Sequence, residues 1–348
     1  MPRLLTFQPA RSLVLIGTAP PGGQVRLTLR YDLPDPPDPE TAGEIARHAT
    51  SVLAAQDIAA AAGVGYGPGP LVTPVADALR ERAAVTGLAI TELLRAENNR
   101  YWSYLCADPA CCPAEGTAYD PGDPEAWAEA GAVSGTTVLA SREELAATVA
   151  PVTGADAELM RQATRRAEER AARLPGGPAG SEGPADSGRP AGSASRGPAR
   201  RLVAAAGVEA VTEAIDACRR GDRVPAGDRA AWLTVLLGDQ YVRDDAWCRM
   251  DPDRREDHLR LWTDLTRLAQ PGYVAAPASL LAFTAWQCGN GALANVALDR
   301  ALGDDPGYRM AQLLRQAIDS GAPPSLARIP MTPEEVAASY EETFDQEK

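Results

Sequence analysis

The sequence predicts an amino-terminal α/β domain, with a mixed sheet and flanking helices, followed by an all-helical domain. Short apolar segments alternate with segments of helical period in the first hundred residues. A stretch rich in Pro, Gly, Ala and Ser interrupts the chain, and only helical patterns follow it. The predicted limits are 1–174 for the α/β domain with a long closing helix, 175–198 for a disordered linker and 199–348 for the helical domain.

The first elements predict an antiparallel hairpin. Residues 12–17 read S-L-V-L-I-G, which is typical of a short buried strand, and residues 25–31 alternate apolar and polar side chains. Several prolines between Pro34 and Pro39 end the hairpin, because proline cannot donate a ladder hydrogen bond.

Helices and strands then alternate. A helix is expected over residues 40–56, a small-residue strand over 58–66, a helix that begins with Thr73 as its cap and Pro74 at its first position, and a strand over 87–94. This order implies right-handed crossovers and helices packed on a mixed sheet. Helices are also expected at 123–130, 141–149 and 156–174.

The segment 97–120 concentrates tyrosine and tryptophan in a chain that is 5% aromatic, and it holds three of the six cysteines. Aromatic residues and cysteines are more often buried than ordinary loop residues. We therefore expect this segment to pack down over one edge of the amino-terminal domain.

The second half predicts helices only. Six positions match the small and large residues of a 34-residue helical-hairpin repeat, which predicts TPR-like packing. They are Leu281, Ala282, Ala294, Leu298, Ala301 and Pro306. The helical patterns also predict that His48 and His258 are exposed or partly packed, and that Arg243 pairs with Asp239.

Composition excludes several function classes. The net charge is −13, so nucleic acid and anionic membranes are not expected as partners. Lys348 is the only lysine, which excludes a phosphate-binding loop, a kinase-type ATP site and a pyridoxal phosphate Schiff base. Two histidines cannot form a three-histidine metal site within one chain. This scarcity weighs against an enzyme, and no cofactor follows from the sequence.

The amino terminus lacks the sustained apolar run of a secretion signal, and no segment approaches the roughly 20 apolar residues needed to span a bilayer. We therefore expect a cytoplasmic protein with reduced cysteines.

Two stretches carry a resemblance, R-Y-W-S-Y-L-C-A-D-P-A-C-C-P and G-A-L-A-N-V-A-L-D-R-A-L-G-D-D-P-G-Y-R-M-A. With S-L-V-L-I-G and G-Y-G-P, they make the chain similar to the bacterial domain-of-unknown-function family 4192, found mainly in high-GC genomes. The resemblance covers nearly the whole chain except the linker. It implies a cytoplasmic protein and supplies no activity, substrate or catalytic residue.

One candidate site lies at the carboxyl ends of the strands, where α/β sheets bind ligands. Arginines there can hold a carboxylate or phosphate in bidentate fashion, with Glu97 or Asp108 as general acid or base. The alternative is that the arginines pair with local acids and fix the loop. The candidate residues are Tyr66, Arg95, Glu97, Asn98, Arg100, Tyr101 and Asp108.

The second candidate site consists of Cys106, Cys111 and Cys112, with the spacing C-x4-C-C. Three thiolates supply most of a tetrahedral zinc site. We favour buried small hydrophobic residues that fasten the loop, because adjacent cysteines rarely ligate one ion and paired C-x2-C knuckles are absent from the sequence. A redox-reactive thiol is a further alternative.

Three functional hypotheses follow. The preferred one is an interaction or regulatory protein whose helical half binds a protein partner. The second is an enzyme or sensor that binds a small anionic ligand near Tyr66 and Arg100. The third is a zinc or thiol module at the three cysteines. The sequence does not predict the oligomeric state.

Overall fold

The structure is a computed structural model that describes residues 5–19, 23–120, 139–174, 196–326 and 331–346. The predicted helix 123–130 and most of the predicted linker 175–198 lie outside the described residues. Contacts divide the chain into two compact units. The first comprises Met1–Leu145 with Ala317–Pro323, and the second comprises Ala146–Gln316 with Pro324–Lys348. As predicted, the amino-terminal part holds a mixed sheet and the carboxy-terminal part consists of helices.

The first unit is built on a six-stranded sheet with the strand order β2-β1-β3-β4-β5-β6. The strands β3 and β4 are parallel and the other neighbours are antiparallel, so the predicted hairpin and mixed sheet are both confirmed. The strands are β1 (Ser12–Ala19), β2 (Gln24–Asp32), β3 (Ala60–Tyr66), β4 (Ala89–Glu97), β5 (Arg100–Ser103) and β6 (Thr117–Ala118).

Three helices with described limits lie in the first part of the chain: α1 (Pro39–Ala55), α2 (Gly69–Thr86) and α3 (Arg142–Ala147). The apolar faces of α1 and α2 form one core with β1 and β4. The helix α2 lies very close to β3, since a Cβ added at Gly65 would lie 2.2 Å from Val72 Cγ1. This close contact explains why β3 is made of small residues.

The predicted start of α2 is wrong. The helix begins at Gly69, one turn earlier, and Pro74 lies inside it. The early start buries Leu71 and Val72 in the core, which offsets the helical hydrogen bond that proline cannot donate. The Thr73 hydroxyl, predicted to cap the helix, lies 2.8 Å from the Tyr104 hydroxyl instead.

The remaining described helices lie in the second unit, apart from the last three residues of α11. They are α4 (Gly154–Arg173), α5 (Arg196–Arg219), α6 (Asp228–Leu236), α7 (Gln240–Cys248), α8 (Arg255–Leu268), α9 (Ala275–Gln287), α10 (Gly291–Asp304), α11 (Arg309–Asp319) and α12 (Pro333–Gln346), with short 3-10 turns at Pro252–Arg254 and Pro324–Leu326. None of the described helices is both long enough and apolar enough to cross a membrane.

The helix α4 was expected to close the α/β domain, but it packs on α6 in the second unit. The Arg170 guanidinium lies 3.9 Å from the ring centroid of Trp232, and both Arg166 Nε and Nη2 donate to Asp228 Oδ1. The sequence of α4 shows an alanine-rich face, but this face does not indicate which unit the helix packs on.

The helices α9 and α10 form a hairpin at the centre of the second unit. Every residue of α9 from Ala275 to Trp286 is buried. The Asp304 carboxylate at the end of α10 accepts backbone N–H bonds from Gly272, Val274 and Ala275 at 2.7, 2.9 and 3.2 Å, so it caps the start of α9.

Two further expectations about this unit are wrong. Asp239 accepts N–H bonds at the start of α7, and Arg243 instead pairs with Asp244 and reaches the Tyr308 hydroxyl at 3.4 Å. His258 is buried, and its Nε2 accepts the Asp251 N–H at 3.0 Å.

Candidate functional site

The β4–β5 hairpin positions most of the candidate residues. Glu97 pairs with Arg100, and Asn98 and Asn99 form the turn between them with φ of 50° and 58°. Asparagine adopts this left-handed conformation more readily than most residues, so the two asparagines suit the turn. The structure therefore gives Asn98 a backbone role in the turn.

Arg95 is engaged by its neighbours on the sheet. Its Nη1 lies 3.2 Å from Glu97 Oε2, and its guanidinium lies 3.7 Å from the ring centroid of Trp102. Both charged side chains are largely buried. This is the alternative stated for the arginines, in which they pair with local acids and fix the structure.

Arg100 and Trp102 fasten the cysteine-containing loop to β5. Arg100 Nη1 donates to the carbonyl oxygens of Glu115 and Gly116 at 3.2 and 2.7 Å, and Trp102 Nε1 donates to that of Ala114 at 3.0 Å. Gly116 has a φ of 78°, and a Cβ added there would lie 2.5 Å from the Trp102 ring. The loop therefore lies directly on the tryptophan.

Ser103 holds the other end of the same loop. Its hydroxyl donates to Glu92 Oε1 at 3.0 Å and accepts the backbone N–H groups of Leu105 and Cys106, both at 3.2 Å. The two ends of the loop are thus fixed by side chains of one short strand.

Two of the candidate residues belong to a cluster of tyrosines. The Tyr101 and Tyr119 rings lie 6.4 Å apart, and burial followed by the charge of Tyr119 raises the pKa of Tyr66 to about 12. A phenol with this pKa stays neutral at physiological pH.

The seven candidate ligand residues therefore lie in different local environments. Tyr66 and Tyr101 are in the tyrosine cluster, Arg95 and Glu97 form an ion pair, and Arg100 supports the loop that contains Asp108. Ligand binding by these residues stays a prediction.

The three cysteines come together at one point. The Sγ atoms of Cys106, Cys111 and Cys112 all lie within 4.8 Å of one another. Cys111 is exposed and the other two are half-buried. They do not have the burial expected of small hydrophobic core residues, the interpretation that the sequence favoured.

Asp108 shapes the turn that brings the cysteines together. Its carboxylate accepts the Ala110 N–H at 2.9 Å, and its carbonyl oxygen accepts the N–H groups of Cys111 and Cys112 at 3.1 and 2.7 Å. These bonds fold residues 108–112 back toward Cys106. The residue predicted as a general acid or base thus has a structural role in this turn.

The thiols influence one another electrostatically. The backbone N–H of Asp108 and then the Cys112 thiol lower the pKa of Cys106 by donating hydrogen bonds to its thiolate. The pKa of Cys112 is raised to about 12, first by its hydrogen bond to Cys106 and then by desolvation. Joint ionisation of Cys106 and Cys112 is therefore unfavourable unless a cation offsets their negative charges.

Other cysteines do not join such a group. Cys218 is buried, Cys248 ends α7, and Cys288 lies in the turn that follows α9. In the described part of the chain, the only cluster of three or more potential metal ligands is the one on this loop. The spacing C-x4-C-C named these residues in advance, but it did not reveal that their sulfur atoms converge.

The comparisons with known proteins identify a family. A family model described as a domain of unknown function (DUF4192) matches residues 1–325. Its description assigns no activity. Neither a curated protein nor a solved structure matches the chain.

Proposed function

We propose that this chain, which belongs to the DUF4192 family, binds a thiophilic metal ion at Cys106, Cys111 and Cys112. The observation that carries the proposal is the convergence of the three Sγ atoms within 4.8 Å. Zinc–sulfur bonds of about 2.3 Å place tetrahedral sulfur ligands roughly 3.8 Å apart, so a small contraction of the loop is enough to bind the ion.

The surrounding residues favour binding over a chance contact. Arg100, Trp102 and Ser103 fix the ends of the loop on β5, and Asp108 closes its turn. Such support lowers the entropic cost of gathering the ligands. Thiolate ligands select soft ions such as Zn²⁺ or Cu⁺ over Mg²⁺ and Ca²⁺.

The adjacent positions of Cys111 and Cys112 were an argument against a shared ion. The turn at Asp108 supports a shared ion, because the N–H groups of Cys111 and Cys112 both donate to the Asp108 carbonyl oxygen and both sulfur atoms lie close to that of Cys106.

Elemental analysis of the purified, reduced protein after incubation with Zn²⁺ and desalting tests the proposal. We expect one zinc ion per chain, and a loss of that zinc in Cys106→Ser. Cys288→Ser, at an exposed cysteine outside the cluster, is the matched control and should retain the metal. Equal metal content in the wild type and in the triple serine variant of the cluster would overturn it.

A second proposed function is partner binding in the cytoplasm by the helical unit, with TPR-like packing. Its support is the α9–α10 hairpin, in which the predicted helix-crossing residues Leu281, Ala282, Ala294, Leu298 and Ala301 are all fully buried. The chain has few lysines and histidines, which weighs against catalysis by these residues and so favours a binding function. A native pull-down that finds no reproducible protein partner would refute this function.

The small-anion site expected at the strand ends has less support. The Arg95 guanidinium is engaged by Glu97 and Trp102, and Arg100 is engaged by two carbonyl oxygens. A ligand would have to displace these contacts.

A further inference from the structure

The last helix, α12, lies beyond the residues that the family model matches, and it packs on α7 and α5 of the second unit. Its start is closed by its own side chains. Thr332 Oγ1 accepts the Glu335 N–H at 3.3 Å, and Glu335 Oε2 accepts the Thr332 N–H at 2.8 Å. This capping box stabilises the helix without help from other parts of the chain.

Among the side chains of α12 that the structure describes, up to Glu341, two that lie four residues apart on one face make close contacts. Val336 is 3% exposed. The Tyr340 hydroxyl donates to Asp244 Oδ2 at 2.7 Å, and its ring packs edge-to-face on Tyr241 with a centroid distance of 5.1 Å. Glu334, Glu335, Ala338, Ser339 and Glu341 are exposed. Within residues 333–341, the helix therefore contacts the unit through a narrow stripe.

The surface under α12 holds its polar acceptor in place. Asp244 is paired with Arg243, whose guanidinium also reaches the Tyr308 hydroxyl. The carboxylate is thus oriented by groups outside α12, beside the apolar face of Tyr241. A fixed acceptor next to an apolar surface suits a side chain with an apolar ring and a hydroxyl group.

The surface under α12 carries charges of both signs, with Arg243 and Arg249 beside Asp239, Asp244 and Asp245. The pKa of Arg249 on this surface is raised, first by its hydrogen bonds to Asp245, and the negative charge of Glu334 contributes to the shift. An acidic first turn is in addition favourable at the amino end of a helix.

We propose that the α5–α7 surface is a helix-docking site. In this chain α12 occupies it, and a partner protein binds there through a helix that carries an aliphatic residue and a tyrosine four residues apart. The proposal rests on the second proposed function, partner binding by the helical unit, and it names the surface. It is independent of the metal site.

The full-length double variant Val336→Asp, Tyr340→Ala tests the proposal, because it detaches α12 while keeping the rest of the chain. A fluorescent peptide with the sequence of residues 331–346 is titrated with this variant and with the wild type, and binding is followed by anisotropy. We expect the variant to bind at least about tenfold more tightly, because the attached α12 competes in the wild type. Equal binding by the two proteins, or none by the folded variant, would overturn the proposal.

Two peptide variants test the contacts. Tyr340→Phe removes the hydroxyl and should weaken binding severalfold, whereas Ala338→Ser, at an exposed position, should leave it unchanged. Equal loss in both peptides would show that the Asp244 contact does not determine recognition.

Hydrogen exchange of the wild type provides a measurement that does not depend on the folding of a variant. Amides of α12 should exchange faster than those of the buried helix α9, and equal protection would contradict a replaceable helix. Light scattering can show whether the protein forms a dimer by exchanging α12. Such a dimer would mean that a second copy of this chain occupies the docking site, and it would overturn the proposal of a partner helix. If a pull-down recovers a partner equally with the wild type and with the double variant, the helical unit binds a partner, but not at this surface.

Discussion

The buried His258 predicts a specific loss of stability in acid. Its side chain is 2% exposed, its Nε2 accepts the Asp251 N–H, and in the described structure its Nδ1 has no hydrogen-bond partner. Burial first, and then the charge of Arg219, lower its pKa from 6.5 to about 4.

The sign and size of the effect follow from this difference. The folded state keeps the imidazole neutral, while the unfolded chain takes up a proton near pH 6.5. The contribution of neutral His258 to the free energy of unfolding is therefore complete above pH 6.5, and it is lost as the pH falls from 6.5 to about 4. The difference corresponds to roughly 3 kcal/mol of unfolding free energy, with no further loss from this group below pH 4.

Urea unfolding of the wild type and of His258→Gln, followed by tryptophan fluorescence between pH 7.5 and 4, measures this effect. Glutamine can accept the Asp251 N–H bond through its side-chain carbonyl but does not titrate. We expect the stability advantage of the wild type to shrink by roughly 3 kcal/mol over this range. If the two proteins lose stability in parallel, the assignment of the acid sensitivity to His258 is wrong.

Three further predictions concern single contacts. Asp304→Ala leaves three N–H groups at the start of α9 without their carboxylate and should cost about 1–2 kcal/mol in urea unfolding, and an unchanged midpoint would contradict the cap. Gly116→Ala strains a φ of 78° and places a methyl group against Trp102, so zinc affinity in a chelator competition should fall about tenfold or more. Trp102→Phe removes the hydrogen bond to Ala114 and should weaken zinc binding less than Gly116→Ala, and the reverse order would refute the proposed support of the loop.

Much of the first unit could be predicted from local sequence. The alternation in residues 25–31 and the apolar run 12–17 identified the hairpin, because side chains in a strand repeat every two residues. The start of α2 was predicted wrongly because it depends on tertiary packing and not on local sequence. Proline is a strong local signal, and it outweighed the burial of Leu71 and Val72, which depends on the packed sheet.

The site required information that spacing does not contain. The positions of the cysteines are visible in the sequence, but their convergence depends on two bonds to the Asp108 carbonyl oxygen and on the contacts of Arg100 and Trp102 with the loop. Likewise, the partner of Arg243 was expected one turn away, and the structure shows that the adjacent Asp244 pairs with it. Tertiary contacts determine which partner a side chain pairs with and whether the cysteines converge.

The strand order also determines which edges of the sheet another chain could pair with. The described sheet ends on one side in β6, which is only two residues long and gives another chain little to pair with. The other outer strand, β2, is nine residues long and leaves Val25 about half exposed. It carries the exposed Arg26, whose charge repels an identical strand, whereas Arg30 is largely buried and paired with Asp32. Neutralising Arg26 should therefore make edge-to-edge pairing of β2 with a second copy easier.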